Sequence, residues 1–420
     1  MKKILILAGA DVHNKIVMAA KAMGLHTIVT DYLRPEDAPA KLLADEYWML
    51  NITDTDAIVD RCKAEGVDAV LAYCIDPAQL PYQCVCERLG LPCYGTKRQF
   101  DILTQKRLFK DYCRDHGVGI VPEYTLADIN GDTGVSVRYP LLVKPSESRG
   151  SRGQTVCHNR EETIRAIALA QKESGDGKAL IERYMLGVED IGMAYAVIGG
   201  EPYLVKMADR ILGAPEDSLE RQQIASVLPS VHAEEFRLGD EPAVKAMIKS
   251  LGIEFGAVFL QGFWEDGHIL MYDPGLRFPG SDFDLVVRDT TGFDAMSSFV
   301  KFAVTGDKTS CVGDPTDAYK MAGETCLILS IACRPGTIAK FEGLEEIGRM
   351  EGVLSVSQRY RVGETVPASG DVRQRVAEFI VRLPDRDAAR AFVSKVYDTL
   401  VIQDADGHDL ITSKVHPAAI

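Results

Sequence analysis

The chain has 420 residues, of which 46% are hydrophobic and 26% are charged, and this balance excludes a disordered chain, a collagen and a coiled coil. Its 47 basic and 61 acidic residues give a formal net charge of −14, and so acidic a surface repels a nucleic-acid backbone. We therefore expect no nucleic-acid partner, although a local basic pocket for one nucleotide is compatible with this charge. At about 150 residues per domain, the length predicts about three domains.

Neither the N-terminus nor the cysteines indicate secretion or a membrane. The apolar run from Ile4 to Ala10 follows two lysines but stops at Asp11, which is typical of a buried first strand rather than a signal peptide. No stretch approaches the ~18–20 apolar residues of a membrane span. The ten cysteines contain no CxxC pair, and Cys84 and Cys86 have a poor zinc spacing. We expect free thiols in a cytoplasmic protein with no membrane partner.

Residues 1–100 alternate between two kinds of periodicity. Strand-like runs at residues 2–8, 26–31 and 68–74 are separated by helix-like runs at 14–24, 55–66 and 81–90. This alternation predicts a doubly wound parallel sheet, whose ligands bind at the carboxyl ends of the strands. The candidates there are Gly9, Asp11, Asp31 and Asp76. Asp31 fits either a ribose contact or turn chemistry. The absence of GxGxxG argues against a nicotinamide or nucleotide-sugar enzyme.

The rest of the chain predicts α+β units. Residues 101–117 predict one helix. Residues 138–200 predict a compact unit of antiparallel strands with one or two helices, and a hairpin follows in residues 257–273. After a link near residues 305–318, the C-terminal segment 320–420 predicts a separate α+β domain.

A lysine at the end of a strand introduces the most informative loop. Lys144 ends the apolar run of residues 141–143, and the loop SESRGSRG follows. Its glycines let backbone N–H groups approach a phosphate, its serines add donors, and Arg149 and Arg152 add charge. The pattern is not a P-loop, because the lysine precedes the loop and a strand follows it. A flexible polar hairpin is the alternative. The loop residues that we expect near phosphates are Ser148, Gly150, Ser151 and Gly153.

Two further segments carry weaker signals. The strand ALIERYM contains Glu182 and runs into a linker before Glu189, so its backbone is suited to an adenine edge and the later carboxylate to ribose hydroxyls. The hairpin of residues 257–273 places Gln261 near Asp273, and Arg277 follows four residues later. Oxygen ligands suit Mg²⁺, and an adjacent arginine stabilises a transferring phosphoryl group. A plain turn after Asp273 is the alternative.

The order of these parts resembles the ATP-grasp superfamily over residues 1 to about 305, in the branch of carbamoyl-phosphate synthetase large chains, biotin carboxylases and L-amino-acid ligases. The resemblance implies phosphate contacts from Lys106 and Lys144. It also implies that ATP binds to the lid loop and to the adenine segment Glu182, Arg183, Tyr184 and Met185, with Glu189 at the ribose. Residues 332–356 resemble the small closing domain of the ligase branch. The domains implied are a preATP-grasp domain (1–100), a lid with a connecting helix (101–200), a core (201–310) and the C-terminal domain (320–420).

The chain departs from the family at the metal site. The family pattern Glu-x-Asn-x-Arg reads here as Asp273, Gly275 and Arg277. Asp273 is able to replace the glutamate, but Gly275 does not replace the asparagine. The other metal ligand, usually a glutamate, is Gln261. The site therefore has one carboxylate instead of two.

The resemblance implies an ATP-dependent carboxylate–amine ligase that requires Mg²⁺. A small carboxylate is activated as an acylphosphate, and an amine then displaces the phosphate. Arg277 is the expected catalytic residue, and Arg210 is a weaker candidate for binding a substrate carboxylate, with a plain salt bridge as its alternative. A homodimer through the first domain is compatible with this branch. The missing metal ligand motivates the alternative of a degenerate, non-catalytic protein that binds ATP or ADP.

Overall fold

The computed structural model describes residues 1–146, 154–185, 187–213, 222–280, 283–369 and 372–420. The predicted lid-loop residues Ser148, Gly150, Ser151 and Gly153 lie outside these ranges. Within them, no helix has the length and apolar character needed to cross a lipid bilayer. All ten cysteines are free thiols, as expected.

The first domain contains the predicted parallel sheet. Its elements are β1 (Lys3–Leu7), α1 (Asn14–Ala22), β2 (His26–Thr30), α2 (Ala40–Leu43), β3 (Glu46–Trp48), α3 (Thr55–Glu65), β4 (Ala69–Ala72) and α4 (Gln79–Leu89). The strand order is β3-β2-β1-β4, and every pair is parallel. β1 and β4 are buried apolar runs, as in parallel sheets covered by helices. The prediction of parallel strands with crossover helices is confirmed, and β3 is additional to the predicted strands.

The prediction of a single helix over residues 101–117 is wrong. Two helices, α5 (Lys97–Thr104) and α6 (Lys106–Asp115), are separated by Gln105, whose φ of −96° and ψ of 108° are extended. Each helix buries its own apolar side chains, so tertiary packing sets the break. No glycine or proline marks the break in the sequence. Lys106 consequently becomes the first residue of a new helix.

A small antiparallel sheet follows, which we call the lid sheet. Its elements are β5 (Glu123–Tyr124), α7 (Leu126–Asn130), β6 (Leu141–Pro145), β7 (Thr155–Cys157), α8 (Arg160–Glu173) and β8 (Ala179–Arg183). The strand order is β5-β8-β6-β7. Leu141, Val143 and Ile181 form a core of their own with the buried side of α8. The antiparallel strands and helix predicted in this part of the chain are therefore present.

The next strand leaves the lid sheet and enters a nine-stranded antiparallel sheet. The elements that follow are β9 (Glu189–Ile198), β10 (Glu201–Gly213), β11 (Gln222–Leu228), α9 (Ala233–Leu238), α10 (Glu241–Ser250), β12 (Phe255–Glu265), β13 (His268–Gly275), α11 (Phe283–Thr291) and α12 (Ala295–Thr305). β9 pairs with β10 and β12, although the sequence places it in one unit with the lid strands. The hairpin predicted over residues 257–273 is formed by β12 and β13.

The C-terminal segment extends the same sheet. Its elements are β14 (Thr325–Cys333), β15 (Gly336–Thr337), β16 (Lys340–Glu342), α13 (Leu344–Gly348), β17 (Val353–Gln358), β18 (Thr365–Val366), β19 (Arg375–Leu383), α14 (Arg386–Thr399), β20 (Val401–Gln403) and β21 (Ile411–Thr412). The sheet order is β13-β12-β9-β10-β11-β14-β19-β17, with β21 on β14. The segment has its own apolar core, yet β11 pairs with β14, so its sheet is continuous with the preceding strands. The α+β composition predicted for the C-terminal domain is therefore present, and the pairing of β11 with β14 joins that domain to the preceding strands.

Candidate active site

A buried cluster of two lysines and a glutamate lies near the ends of β6 and β8. The Lys144 ammonium lies 2.7 Å from Glu182 Oε2, and the Lys110 ammonium contacts Glu182 Oε1. Lys110 also lies 2.8 Å from Glu123 Oε1. The side chains of Lys110 and Glu182 are 2% and 5% exposed. Glu182 therefore bridges two cations from separate elements and fixes the position of Lys144.

Burial and the charge of the partner residue shift the pKa values of Glu182 and Lys144 in opposite directions. Burial alone raises the pKa of Glu182, but the Lys144 and Lys110 ammonium groups outweigh it and hold the pKa at about 2. Burial lowers the pKa of Lys144 against the charge of Glu182, and the neighbouring cations Lys106 and Lys110 lower it further. A bound anion would counter this lowering of the pKa, because it favours the charged form of Lys144. The cluster therefore favours a polyanion beside Lys144.

Lys106 extends the group of cations toward the hairpin of β12 and β13. Its ammonium lies 3.1 Å from Asp273 Oδ1, and the two side chains are 50% and 28% exposed. Although burial acts against the charge, Asp273 raises the pKa of Lys106, and the more distant Glu182 adds to this rise. The pair joins the start of α6 to β13, so the sequence-predicted residues Lys106, Lys144, Glu182 and Asp273 belong to one electrostatic site.

The Gln261 amide belongs to a hydrogen-bond network beside Asp273. Gln261 and Asp273 are directly paired across β12 and β13, as the hairpin predicts. In the amide orientation that satisfies its neighbours, Gln261 accepts a hydrogen bond from Arg210 Nη1 at 2.9 Å and donates to the Tyr272 hydroxyl at 3.2 Å. Asp190 closes the network, with Oδ1 at 2.5 Å from Arg210 Nη1 and Oδ2 accepting from Tyr272 at 3.0 Å. Arg210 is thus held in a buried salt bridge.

Arg277 is held by the first domain. Its Nε lies 2.5 Å from Asp76 Oδ1 and its Nη2 lies 3.1 Å from Asp76 Oδ2. The guanidinium is also 5.1 Å from the centre of the Phe259 ring. Burial opposes the charge, but the hydrogen bond to Asp76 raises the pKa of Arg277. Asp76 follows β4 at the carboxyl edge of the parallel sheet, so the predicted ligand edge of that sheet meets the Asp273-to-Arg277 segment.

The glycine that departs from the family pattern lies close to the side chain of this arginine. A Cβ atom added to Gly275 would lie 3.2 Å from Arg277 Cγ, so the arginine side chain would have to shift by a few tenths of an ångström. Gly275 therefore lets Arg277 fold back over its own strand toward Asp76. A side chain at position 275 would compete with that conformation.

The predicted adenine segment connects the lid sheet to the core. The Arg183 guanidinium forms a bidentate pair with Glu265, with both N–O distances at 2.6 Å. The Arg183 and Tyr184 amides donate to proline carbonyls at 2.9 Å. Both of these amides therefore serve the local fold, Met185 is buried, and the contact of this segment with an adenine base stays a prediction.

Two carboxylates predicted near a ribose have different surroundings. Glu189, at the start of β9, is 62% exposed and its Oε2 lies 2.6 Å from His232 Nε2, while the His232 ring stacks on Trp264 at 4.7 Å. Asp31 instead accepts the N–H groups of Gly9 at 3.0 Å and Leu33 at 2.9 Å. The Asp31 contacts favour turn chemistry over a ribose contact, whereas Glu189 is presented to solvent.

Three side chains of the site were not expected from the sequence. Lys110 has one detectable signal, because it lies four residues after Lys106 and therefore on the same face of α6. Asp190 and Tyr272 carry no local signal, since each becomes important only through the pairing of distant strands. Burial raises the pKa of Asp190, with Arg210 acting in the opposite direction.

Two family models match parts of the chain. Residues 105–199 match the carbamoyl-phosphate synthase L chain ATP binding domain, and residues 329–404 match the L-amino acid ligase C-terminal domain 2. The 2-oxoglutarate carboxylase small subunit of Hydrogenobacter thermophilus is 25% identical over 249 residues, 55% of this chain and 51% of that protein. The formate-dependent phosphoribosylglycinamide formyltransferase of Wolinella succinogenes is 24% identical over 43% of this chain and 46% of that protein. The chain thus spans about half the length of these two relatives.

The similarity of fold extends over nearly the whole chain. The L-amino acid ligase from Bacillus licheniformis has a TM-score of 0.77 at 19% identity, covering 96% of this chain and 99% of that one. Phosphoribosylglycinamide synthetase from Anaerococcus prevotii has a TM-score of 0.75 at 15% identity, with the same coverage. The family models, the fold and the predicted order of parts together identify this chain as a member of the ATP-grasp superfamily.

Proposed function

We propose that the protein is an ATP-dependent carboxylate–amine ligase that forms ADP and phosphate. The observation that carries the proposal is the convergence of Lys106, Lys144 and Asp273 from three separate elements on one electrostatic site. These lysines give an otherwise acidic protein a local affinity for phosphates. Its relatives include ATP-grasp enzymes, and the structure of one of them, the biotin carboxylase domain of 2-oxoglutarate carboxylase, contains magnesium ADP and bicarbonate.

The proposed reaction has two steps. A carboxylate oxygen of the small acid attacks the γ-phosphorus of ATP, the bond to ADP breaks, and an acylphosphate forms. An amine then attacks the acyl carbon, phosphate leaves with the bonding electrons, and the amine loses a proton. Lys106 and Lys144 offset the charge of the phosphates, and Arg277 stabilises charge that develops on the transferred group. The protein's contribution is position and charge rather than covalent chemistry.

The donor set beside Arg277 fits one Mg²⁺. Asp273 is a partly exposed carboxylate, and Mg²⁺ is usually held by one or two carboxylates together with substrate phosphates. The Gln261 oxygen already accepts from Arg210, and Gly275 supplies no side-chain donor. We therefore propose Asp273 as the principal protein ligand and Gln261 as a weaker one. When bound, the ion would neutralise phosphate charge.

Carboxylate-dependent ADP release tests this function. Purified protein is incubated with ATP, Mg²⁺ and a panel of small carboxylates and amines, and ADP is measured over time. We expect ADP release that requires a carboxylate and increases with an amine. Tight ATP binding without turnover across the whole panel would contradict the ligase.

A second candidate function is a degenerate ATP-grasp protein that binds ATP or ADP without turnover. The observation that favours it is the Gln261 amide, which is held by Arg210 and Tyr272 beside Asp273, a carboxylate that is itself paired with Lys106. This candidate predicts nucleotide binding of equal strength with and without Mg²⁺, whereas the ligase predicts tighter binding with Mg²⁺. Isothermal titration calorimetry with and without the ion separates the two.

We also propose that the chain forms a homodimer through the first domain. One similar structure is described as a biotin carboxylase domain dimer, which supports the proposal. Light scattering during size-exclusion chromatography tests it. A mass of twice 46.0 kDa would agree, and a monomer at every concentration would contradict it.

A further inference from the structure

A separate cavity of about 730 Å³ lies between the first domain and the C-terminal segment. Its wall combines the solvent side of α1, the stretch after Arg277, and strands β17 and β19. The volume suits a small-molecule site. One end borders the proposed transfer site, because the lining residue Gly280 lies three residues after Arg277 and beside Cys74, with 3.8 Å from an added Cβ to Cys74 Sγ.

The sheet brings the other end of this cavity onto the same face as the site residues. Directly opposed residues of neighbouring antiparallel strands share one face of a sheet. A continuous row of such pairs crosses from β10 to β17, through Arg210, Ser226, Ile328, Ile380 and Ser355. Polar side chains of the C-terminal segment therefore reach the face that carries the Arg210 network.

Glu378 is the unusual residue of this face. It is 7% exposed, lines the cavity and is flanked in register by Ser330 on β14 and Ser357 on β17. The Ser330 hydroxyl donates to Glu378 Oε2 at 2.8 Å and is its one hydrogen-bond partner in the described part of the chain. The neighbouring cation, Arg375, forms no ion pair with it there, and the Arg375 Nε atom is buried without a hydrogen-bond partner.

Several other charged side chains of the wall have described contacts, and Arg288 is a further cation that lines it. Lys15 contacts Asp284, and Arg359 Nε lies 3.8 Å from Asp11 Oδ2. Asp294 accepts from the first turn of α12. A buried carboxylate with one hydroxyl partner carries a large desolvation cost, which a bound cation would relieve. A buried polar group that lacks a full set of partners is expected where a ligand binds.

We propose that this cavity binds the activated carboxylate substrate, and that Glu378 holds a cationic nitrogen at its far end. The proposal rests on the proposed ligase function, because it places the substrate carboxylate at the Gly280 end, beside Arg277. Apolar side chains, among them Met18 and Leu285, also line the cavity, and they fit a short alkyl chain. The substrate class is therefore a small acid with an ammonium or guanidinium group separated from the carboxylate by several carbons.

Binding of two isosteric acids tests the proposal without turnover. The probes are ε-aminocaproate, which ends in an ammonium group, and heptanoate, which has a methyl group in its place. We expect calorimetry on the wild-type protein to show tighter binding of ε-aminocaproate by about tenfold or more, as a charge-assisted contact predicts. Equal binding, or tighter binding of heptanoate, would overturn the proposal.

The Glu378→Gln variant sharpens this test, because glutamine keeps the shape of the side chain and a hydrogen bond to Ser330. We expect it to remove the preference for ε-aminocaproate over heptanoate, mainly because ε-aminocaproate binds more weakly. Glu345→Gln removes a charge from an exposed side chain of the same segment and should keep the preference. A preference that survives in Glu378→Gln would contradict the role of Glu378. The probes could bind as expected while no acid leads to ADP release. That result would contradict the proposed ligase function but would support the proposed binding pocket.

Discussion

The candidate site has two ends with different arrangements of charge. We call the surroundings of Lys144 and Glu182 the phosphate end and the surroundings of Asp273 and Gln261 the metal end. At the phosphate end, Lys144 and Lys110 share the buried carboxylate of Glu182, and Lys110 also pairs with Glu123, so both cations are held in place. At the metal end, Asp273 is opposed by Lys106, and the neighbouring Gln261 amide is bound to Arg210. The first end is built to attract an anion, whereas the second has few free donors for a cation. Under the proposed ligase function, this comparison predicts that side chains neutralise much of the nucleotide charge and that one metal ion suffices.

Asp273→Asn breaks the metal end and should have the largest effect. Asparagine keeps the size of the side chain but removes the carboxylate charge that we propose as the principal metal ligand. We expect ADP release to fall by about a hundredfold or more. The control is Asp266→Asn, an exposed turn residue on the same hairpin whose positive φ of 50° asparagine tolerates. Activity that survives in Asp273→Asn would show that the metal end is dispensable.

The Arg277→Ala variant tests whether Arg277 acts in phosphoryl transfer or in ATP binding. Because Arg277 is held by Asp76 and adjoins Asp273, we expect kcat to fall by about tenfold to a hundredfold with a smaller change in ATP affinity. Steady-state kinetics and ATP titration on the same preparation provide the two numbers. Equal losses in both would argue for a role in binding alone.

Lys144→Ala tests the phosphate end. The variant loses a buried ammonium that Glu182 positions, so we expect ATP affinity to fall by about tenfold. Lys178→Ala, on an exposed lysine just before β8, is the matched control and should bind ATP like the wild type. Unchanged affinity in Lys144→Ala would place the phosphates elsewhere.

The acid stability of the lid measures the Glu182 cluster by itself. The pKa of Glu182 is held at about 2 in the folded protein, below its ordinary 4.5. Its contribution to the free energy of unfolding is therefore complete above pH 4.5 and is lost as the pH falls toward 2. We expect Glu182→Gln to lower stability at neutral pH and to show a weaker further loss across this acid range, measured by denaturant unfolding. The exposed control Glu161→Gln should follow the wild type.

The sequence carries the alternation of the first domain, the hairpin and the family pattern, because these features repeat locally along the chain. The Gln261–Asp273 pairing followed from the hairpin alone. The site, in contrast, depends on contacts between elements. Lys144 and Glu182 were each expected to touch the nucleotide, yet the antiparallel pairing of β6 with β8 also places them in contact with each other.

Other features depend on packing that no local pattern reports. Gln105 interrupts a helix without a glycine or proline, and that break is what starts α6 at Lys106. Gly275 looks like a lost metal ligand in the sequence, but in the structure it makes room for the side chain of Arg277. The roles of the lid-loop residues between 147 and 153 stay predictions.

The most direct test of the acylphosphate mechanism follows the oxygen atoms. A carboxylate substrate labelled with heavy oxygen is incubated with the protein, ATP, Mg²⁺ and an amine, and the released phosphate is examined by mass spectrometry. Because the carboxylate oxygen attacks the γ-phosphorus and leaves with the phosphate, the mechanism predicts one heavy oxygen in each phosphate formed with product. Unlabelled phosphate alongside amide product, or no phosphate with any acid, would contradict it.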